Sequence, residues 1–67
     1  MGILWAVVYI TPDKKEATRI QEILTREGIL VKIKELSASG TNNKKRSVEI
    51  LVPEAEADEA LEIISSI

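Results

Sequence analysis

The chain has 67 residues, 9 basic and 11 acidic side chains, a net charge of −2, and neither cysteine nor histidine. These counts exclude disulfides, zinc sites built on Cys and His, and a histidine general base, and the charge argues against nucleic-acid binding. A chain this short has a marginal hydrophobic core, so we expect one domain over residues 1–67 that gains stability by association.

The first predicted element, Ile3–Ile10, is an unbroken apolar run that contains both aromatic residues of the chain. A run this short, closed by Thr11 and Pro12, predicts a strand, and its two apolar faces both need to be covered. It is far shorter than the roughly 20 residues that cross a bilayer, and no basic residue precedes it as in a secretory signal. We therefore expect a cytoplasmic protein with no membrane contact.

The second predicted element is a helix that starts over Thr11-Pro12-Asp13 and ends at Gly28. Thr11 or Asp13 can cap the helix, and Glu16 stands three residues after Asp13, as in a capping box. Gly28 suits the left-handed position that follows a last helical turn. The apolar stripe of this helix consists of Ala17, Ile20, Ile23 and Leu24.

Two further strands and a second helix follow. The alternation over Ile29–Leu36 predicts the second strand, the polar segment Ser37–Arg46 predicts a loop, and Ser47–Val52 predicts the third strand. Pro53 stops that strand and can open the second helix. The apolar stripe of the second helix consists of Ala57, Ala60, Leu61, Ile64 and Ile67.

The element order β-α-β-β-α predicts an α+β fold, a truncated ferredoxin-like arrangement. Its three-stranded antiparallel sheet has the order 1-3-2, with both helices on one face. The first strand is then an edge strand, and one of its apolar faces lacks a covering layer. An exposed hydrophobic edge needs a cover, so we predict a homo-oligomer, most simply a dimer.

The predicted self-association contact consists of Trp5, Val7 and Tyr9 on the first strand, with Leu51 beside them. This assignment assumes that these residues share the face that the helices leave open. In the alternative, they belong to the core of the subunit and the residues of opposite parity face outward.

The best anion-binding candidate is the cluster of Lys44, Lys45 and Arg46 near the end of the loop. Glycine and asparagine in the same loop allow backbone N–H groups to converge on an anion, to which the cations add charge. This predicts a sensor of an anionic metabolite or nucleotide as the alternative function. The simpler interpretation is a solvated loop whose charges limit aggregation.

Acidic residues offer two further sites, each with a structural alternative. The acidic residues of the second helix are Glu54, Glu56, Asp58, Glu59 and Glu62. They could dock a basic partner, or they could simply complement the helix dipole. Glu49 falls beside Lys32 or Lys34, where a cross-strand ion pair explains it without chemistry. With no histidine to activate a serine, we expect no enzymatic activity, no catalytic residue and no cofactor or metal.

Several segments carry a resemblance: Trp5–Tyr9 with the following Thr11-Pro12, Glu27-Gly28-Ile29, and Glu49–Glu54. They resemble a small bacterial domain of unknown function labelled putative prokaryotic signal-transducing protein, similar to half of a nitrogen-regulatory PII protein. The resemblance implies the β-α-β-β-α fold and supplies no catalytic residues; the corresponding loop of PII proteins is functional. From the absence of catalytic groups and the two apolar faces of the first strand, we expect a non-enzymatic interaction or regulatory module that acts through self-association and contact with a partner protein. Similar single-domain proteins sometimes carry the label glutamate decarboxylase, but a pyridoxal enzyme needs a deep pocket for which this chain has little room.

Overall fold

The computed structural model describes residues 2–37 and 46–67, apart from the side chains of Ser37 and Arg46. Its elements are β1 (Trp5–Thr11), α1 (Lys14–Arg26), β2 (Lys32–Ser37), β3 (Arg46–Pro53), a short 3-10 helix (Glu54–Glu56) and α2 (Ala57–Ser65). The sheet has the order β1-β3-β2, and both strand pairs are antiparallel. The predicted α+β fold of β-α-β-β-α order is confirmed.

The start of α1 is fixed by Asp13, whose Oδ1 accepts a hydrogen bond of 2.9 Å from the backbone N–H of Lys15. The backbone N–H of Asp13 donates to Oγ1 of Thr11 at 3.1 Å, so Thr11 takes the place that the capping box assigned to Glu16. Of the two predicted cap residues, Asp13 takes the position, and the predicted capping box is wrong. The carboxylate of Glu16 bonds to the side chain of Tyr9 instead.

The end of α1 explains why β2 begins later than predicted. Gly28 has a φ of 87°, and the backbone N–H groups of Gly28 and Ile29 donate to the carbonyls of Thr25 and Leu24, both at 3.0 Å. These two bonds form the glycine-terminated helix end that the sequence predicted. Because Ile29 closes the helix, strand pairing begins only at Lys32 rather than at Ile29.

The core lies between the sheet and the two helices. Its buried apolar residues are Val8, Ala17, Ile20, Leu24, Ile29, Val48, Ile50, Val52 and Ala60. The predicted stripe of α2 is wrong in two members, because Leu61 is 45% exposed and Ile67, beyond the end of the helix, is 57% exposed, while Ile63 packs against the core. The 3-10 helix after Pro53 delays the start of α2 to Ala57 and so sets which side chains turn inward.

The open sheet face as the candidate functional site

The two helices cover one face of the sheet and leave the other uncovered. In antiparallel strands, residues directly opposite each other point to the same side. Leu51 is opposite both Val7 and Lys32, and Glu49 is opposite both Ile10 and Lys34. The uncovered side, here called the open face, presents Trp5, Val7, Ile10, Lys32, Lys34, Leu36, Glu49 and Leu51.

A β-bulge in β1 decides which aromatic residue reaches the open face. Val7 is opposite Leu51, but the next pair joins Tyr9 to Ile50, so Val8 is the extra residue. Val8 is buried in the core. The extra residue shifts the alternation by one from that point onward.

The predicted contact set is therefore wrong in one member. Trp5, Val7 and Leu51 do share the open face, but Tyr9 is opposite the fully buried Ile50 and packs against the core on the helix side. Ile10, which a regular strand would have turned inward, takes a place on the open face and is 59% exposed. The predicted strand Ile3–Ile10 is apolar or aromatic throughout, so no residue in it indicated the change of face after Val8.

Tyr9 joins the sheet to α1. Its hydroxyl donates a hydrogen bond to the carboxylate of Glu16, beside a cavity of about 200 Å³ that Arg19 and Ile64 also line. The hydrogen bond to Glu16 raises the pKa of Tyr9, and desolvation and the negative charge of Glu16 act in the same direction. The phenol thus stays protonated to a higher pH than usual, which suits a structural contact.

The cations of the open face do not form the predicted cross-strand ion pair. Lys34 lies directly opposite Glu49, yet among the side chains that the structure describes the one ion pair joins Lys14 and Glu35 at 3.6 Å, with both side chains exposed. The Nζ of Lys32 lies 5.5 Å from the centroid of the Trp5 ring. Trp5 and Lys32 belong to the two outer strands, so the lysine side chain crosses the face above Leu51.

The two edges of the sheet differ in regularity. β1 carries the bulge at Val8, and bulges hinder the addition of a further strand. β2 pairs with β3 without a register shift, and its exposed Lys32 and Lys34 discourage pairing with a like strand. Both features favour contacts through the open face over contacts through an edge.

The predicted anion site falls largely outside the part of the chain that the structure describes. Lys44 and Lys45 lie outside the described residues, and Arg46 is described only as the first residue of β3. Anion binding at this cluster stays a prediction. Among the described residues, no group of three His, Cys, Asp or Glu side chains could hold a metal ion.

The acidic residues of the second helix region divide between two elements. Glu54 and Glu56 belong to the 3-10 helix, whereas Asp58 and Glu59 lie in the first turn of α2, where carboxylates complement the helix dipole. Docking of a basic partner on these residues stays a prediction. No helix in the described part of the chain is both long and apolar enough to cross a membrane.

The fold and the open face define the chain as a small α+β domain whose two helices lie on the same side of its sheet. Residues 5–67 match the family described as putative prokaryotic signal transducing protein, and the chain belongs to this family. The resemblance drawn from the sequence is thereby confirmed, and the family description indicates a module of the signal-transducing type. Neither the curated proteins nor the solved structures contain a significant match.

Proposed function

We propose that this protein is a non-enzymatic, cytoplasmic interaction module that acts through self-association and contact with a partner protein at the open face. One observation carries the proposal: all three strands contribute apolar side chains to a face that neither helix covers. Val7 is 45% exposed, Ile10 59% and Leu36 42%, and the partly exposed Trp5 and Leu51 lie among them.

The extent of the open face sets the expected strength of association. Three strands about 4.8 Å apart and about 7 residues long make a rectangle of roughly 14 by 23 Å, or about 300 Å². Lys32, Lys34 and Glu49 share this area with the apolar side chains, so its apolar part does not exceed the largest apolar patch of a typical monomer, roughly 300–600 Å². The whole face is also small beside the roughly 800 Å² of accessible surface that each partner buries in a standard stable interface, so a weak and reversible association is expected.

The chemistry of the chain supports an interaction role over catalysis. The sequence holds no cysteine and no histidine. The Tyr9–Glu16 pair lies on the helix side of the sheet, and the raised pKa of Tyr9 disfavours the phenolate form that a tyrosine base would need.

Sedimentation equilibrium over a wide concentration range tests the proposal with two matched leucine variants. Leu51 lies on the open face and Leu61 is exposed on α2, so Leu51→Lys should shift the protein to monomer while Leu61→Lys leaves association unchanged. Circular dichroism checks that both variants remain folded. A wild-type chain that stays monomeric at high micromolar concentration would exclude self-association, and equal behaviour of the two variants would exclude the open face as its site.

A further inference from the structure

The open face carries charges of both signs. Lys32 and Lys34 stand on β2 and Glu49 stands on β3, next to the apolar side chains of β1. A two-fold interface uses the same patch on both copies, so the patch must complement itself in charge as well as in shape. The open face meets this requirement, whereas the acidic stretch 54–62 contains no basic residue and would repel its own copy.

The positions of these charges restrict how two open faces can meet. Neighbouring strands lie about 4.8 Å apart, and successive residues on one face lie about 6.7 Å apart along a strand. On that grid, Lys32, Leu51, Glu49 and Lys34 occupy the four corners of one rectangle, with Lys32 and Glu49 at opposite corners.

Two placements of a second copy bring a lysine to the carboxylate. The first placement pairs Lys34 with Glu49 of the other copy. The strands of the two sheets then run along the same direction, but the second sheet is displaced sideways by one strand, so the apolar residues of β1 remain uncovered. The second placement pairs Lys32 with Glu49 of the other copy. Its two-fold axis lies between the two sheets and runs obliquely to the strands. Leu51 and Val7 then lie over the same residues of the other copy, and the strands of one sheet cross those of the other at an angle near that of orthogonal sheet packing. Burial of apolar surface favours the second placement.

We propose that the open face binds a second copy of this chain face to face, with Lys32 of each copy paired to Glu49 of the other. This inference rests on the proposed function and specifies the geometry of its self-association. Lys34 then lies at the rim near its own counterpart, where its side chain can extend into solvent.

The observed position of Lys32 supports its choice over Lys34. Its Nζ lies 5.5 Å from the Trp5 ring centroid, so its charge stands over the apolar part of the open face. An exposed cation–π contact is weak, and a carboxylate from a second copy is a stronger partner for the ammonium group. The aliphatic part of the lysine side chain can remain against Leu51 while the ammonium group changes partner.

A charge-swap experiment tests the inference on the full chain. Lys32→Glu and Glu49→Lys should each weaken self-association at least about tenfold in sedimentation equilibrium, because each places two like charges together twice per dimer. An equimolar mixture of the two variants should restore association to near the wild-type level, since both cross-copy pairs are again opposite in sign. Circular dichroism and unfolding midpoints check the fold, and Lys32→Gln with Glu49→Gln replace any variant that does not fold.

Lys34 supplies the matched control. Lys34→Glu alone should associate like the wild type, because it keeps both Lys32–Glu49 contacts. Adding it to Glu49→Lys should not draw the Glu49→Lys chains into dimers, because one of the two Lys32 contacts of a mixed dimer still joins like charges. If the wild type associates but the Lys32 and Glu49 variants associate equally well, or their mixture does not recover, the proposed geometry is wrong and the proposed function stands. If the wild type does not associate at all, both fall.

Discussion

The bulge at Val8 makes a specific prediction about two isoleucines. A regular β1 would place Ile10 in the core beside Val8, whereas the bulge places it on the open face at 59% exposure. Ile50, on β3, is fully buried. The same substitution, isoleucine to threonine, keeps the β-branched side chain and its strand preference at both positions.

The expected costs follow from burial. Full burial of an isoleucine side chain contributes roughly 1.5–3 kcal/mol, so Ile10→Thr, at a position less than half buried, should lower the free energy of unfolding by about 1 kcal/mol or less. Ile50→Thr leaves a cavity and buries a hydroxyl, and should cost roughly 3 kcal/mol. A domain of this length has a total stability of roughly 3–10 kcal/mol, so the difference is large.

Urea unfolding followed by circular dichroism measures both variants. Each series is repeated at several protein concentrations, because association stabilises the folded state by mass action. At the lowest concentration, the Ile10 variant should unfold close to the wild type and the Ile50 variant far earlier. If Ile10→Thr costs as much as Ile50→Thr, then Ile10 belongs to the core and the bulge assignment is refuted.

Three further predictions concern α1 and its contact with the sheet. Gly28→Ala should lower the free energy of unfolding by about 1–2 kcal/mol, because the φ of 87° disfavours a Cβ although the space around it is open; Gly2→Ala is the control, and equal melting temperatures for the two would contradict the strained position. Asp13→Ala should cost about 1 kcal/mol through loss of the helix cap, and an unchanged urea midpoint would show that the cap contributes nothing. Tyr9 is the sole tyrosine, so absorbance titration should place its pKa above the usual value of about 10, and Glu16→Gln should lower it. The folded state favours the protonated phenol, so the Tyr9–Glu16 contact stabilises the folded state fully at pH values below the unfolded-state pKa of Tyr9. That stabilisation is lost as the pH rises through the folded-state pKa. A Tyr9 titration that Glu16→Gln does not change would contradict this contact.

The sequence pattern predicted the fold well where polar residues mark the faces of an element. β3 alternates Val48, Glu49, Ile50 and Leu51 in a way that predicted its buried side, and Gly28 predicted the end of α1. The pattern also brought Trp5, Val7 and Leu51 to one face.

The pattern failed where every side chain is apolar. β1 offers only apolar and aromatic residues before Thr11, so the sequence did not predict the bulge at Val8 or the exchange of Tyr9 for Ile10. Glu16 fitted a local cap equally well, and only the tertiary packing shows that it bonds to Tyr9. The contact between Lys32 and Trp5 joins the two outer strands across β3, and the spacing of residues along the sequence does not predict it.

The most direct test of the central claim is a series of ¹H–¹⁵N correlation spectra of the wild-type chain at increasing concentration. We expect concentration-dependent shifts at Trp5, including its indole N–H, and at Val7, Ile10 and Leu51, with α2 unaffected. Spectra that do not change with concentration, or shifts confined to α2, would contradict an open face that binds a second copy.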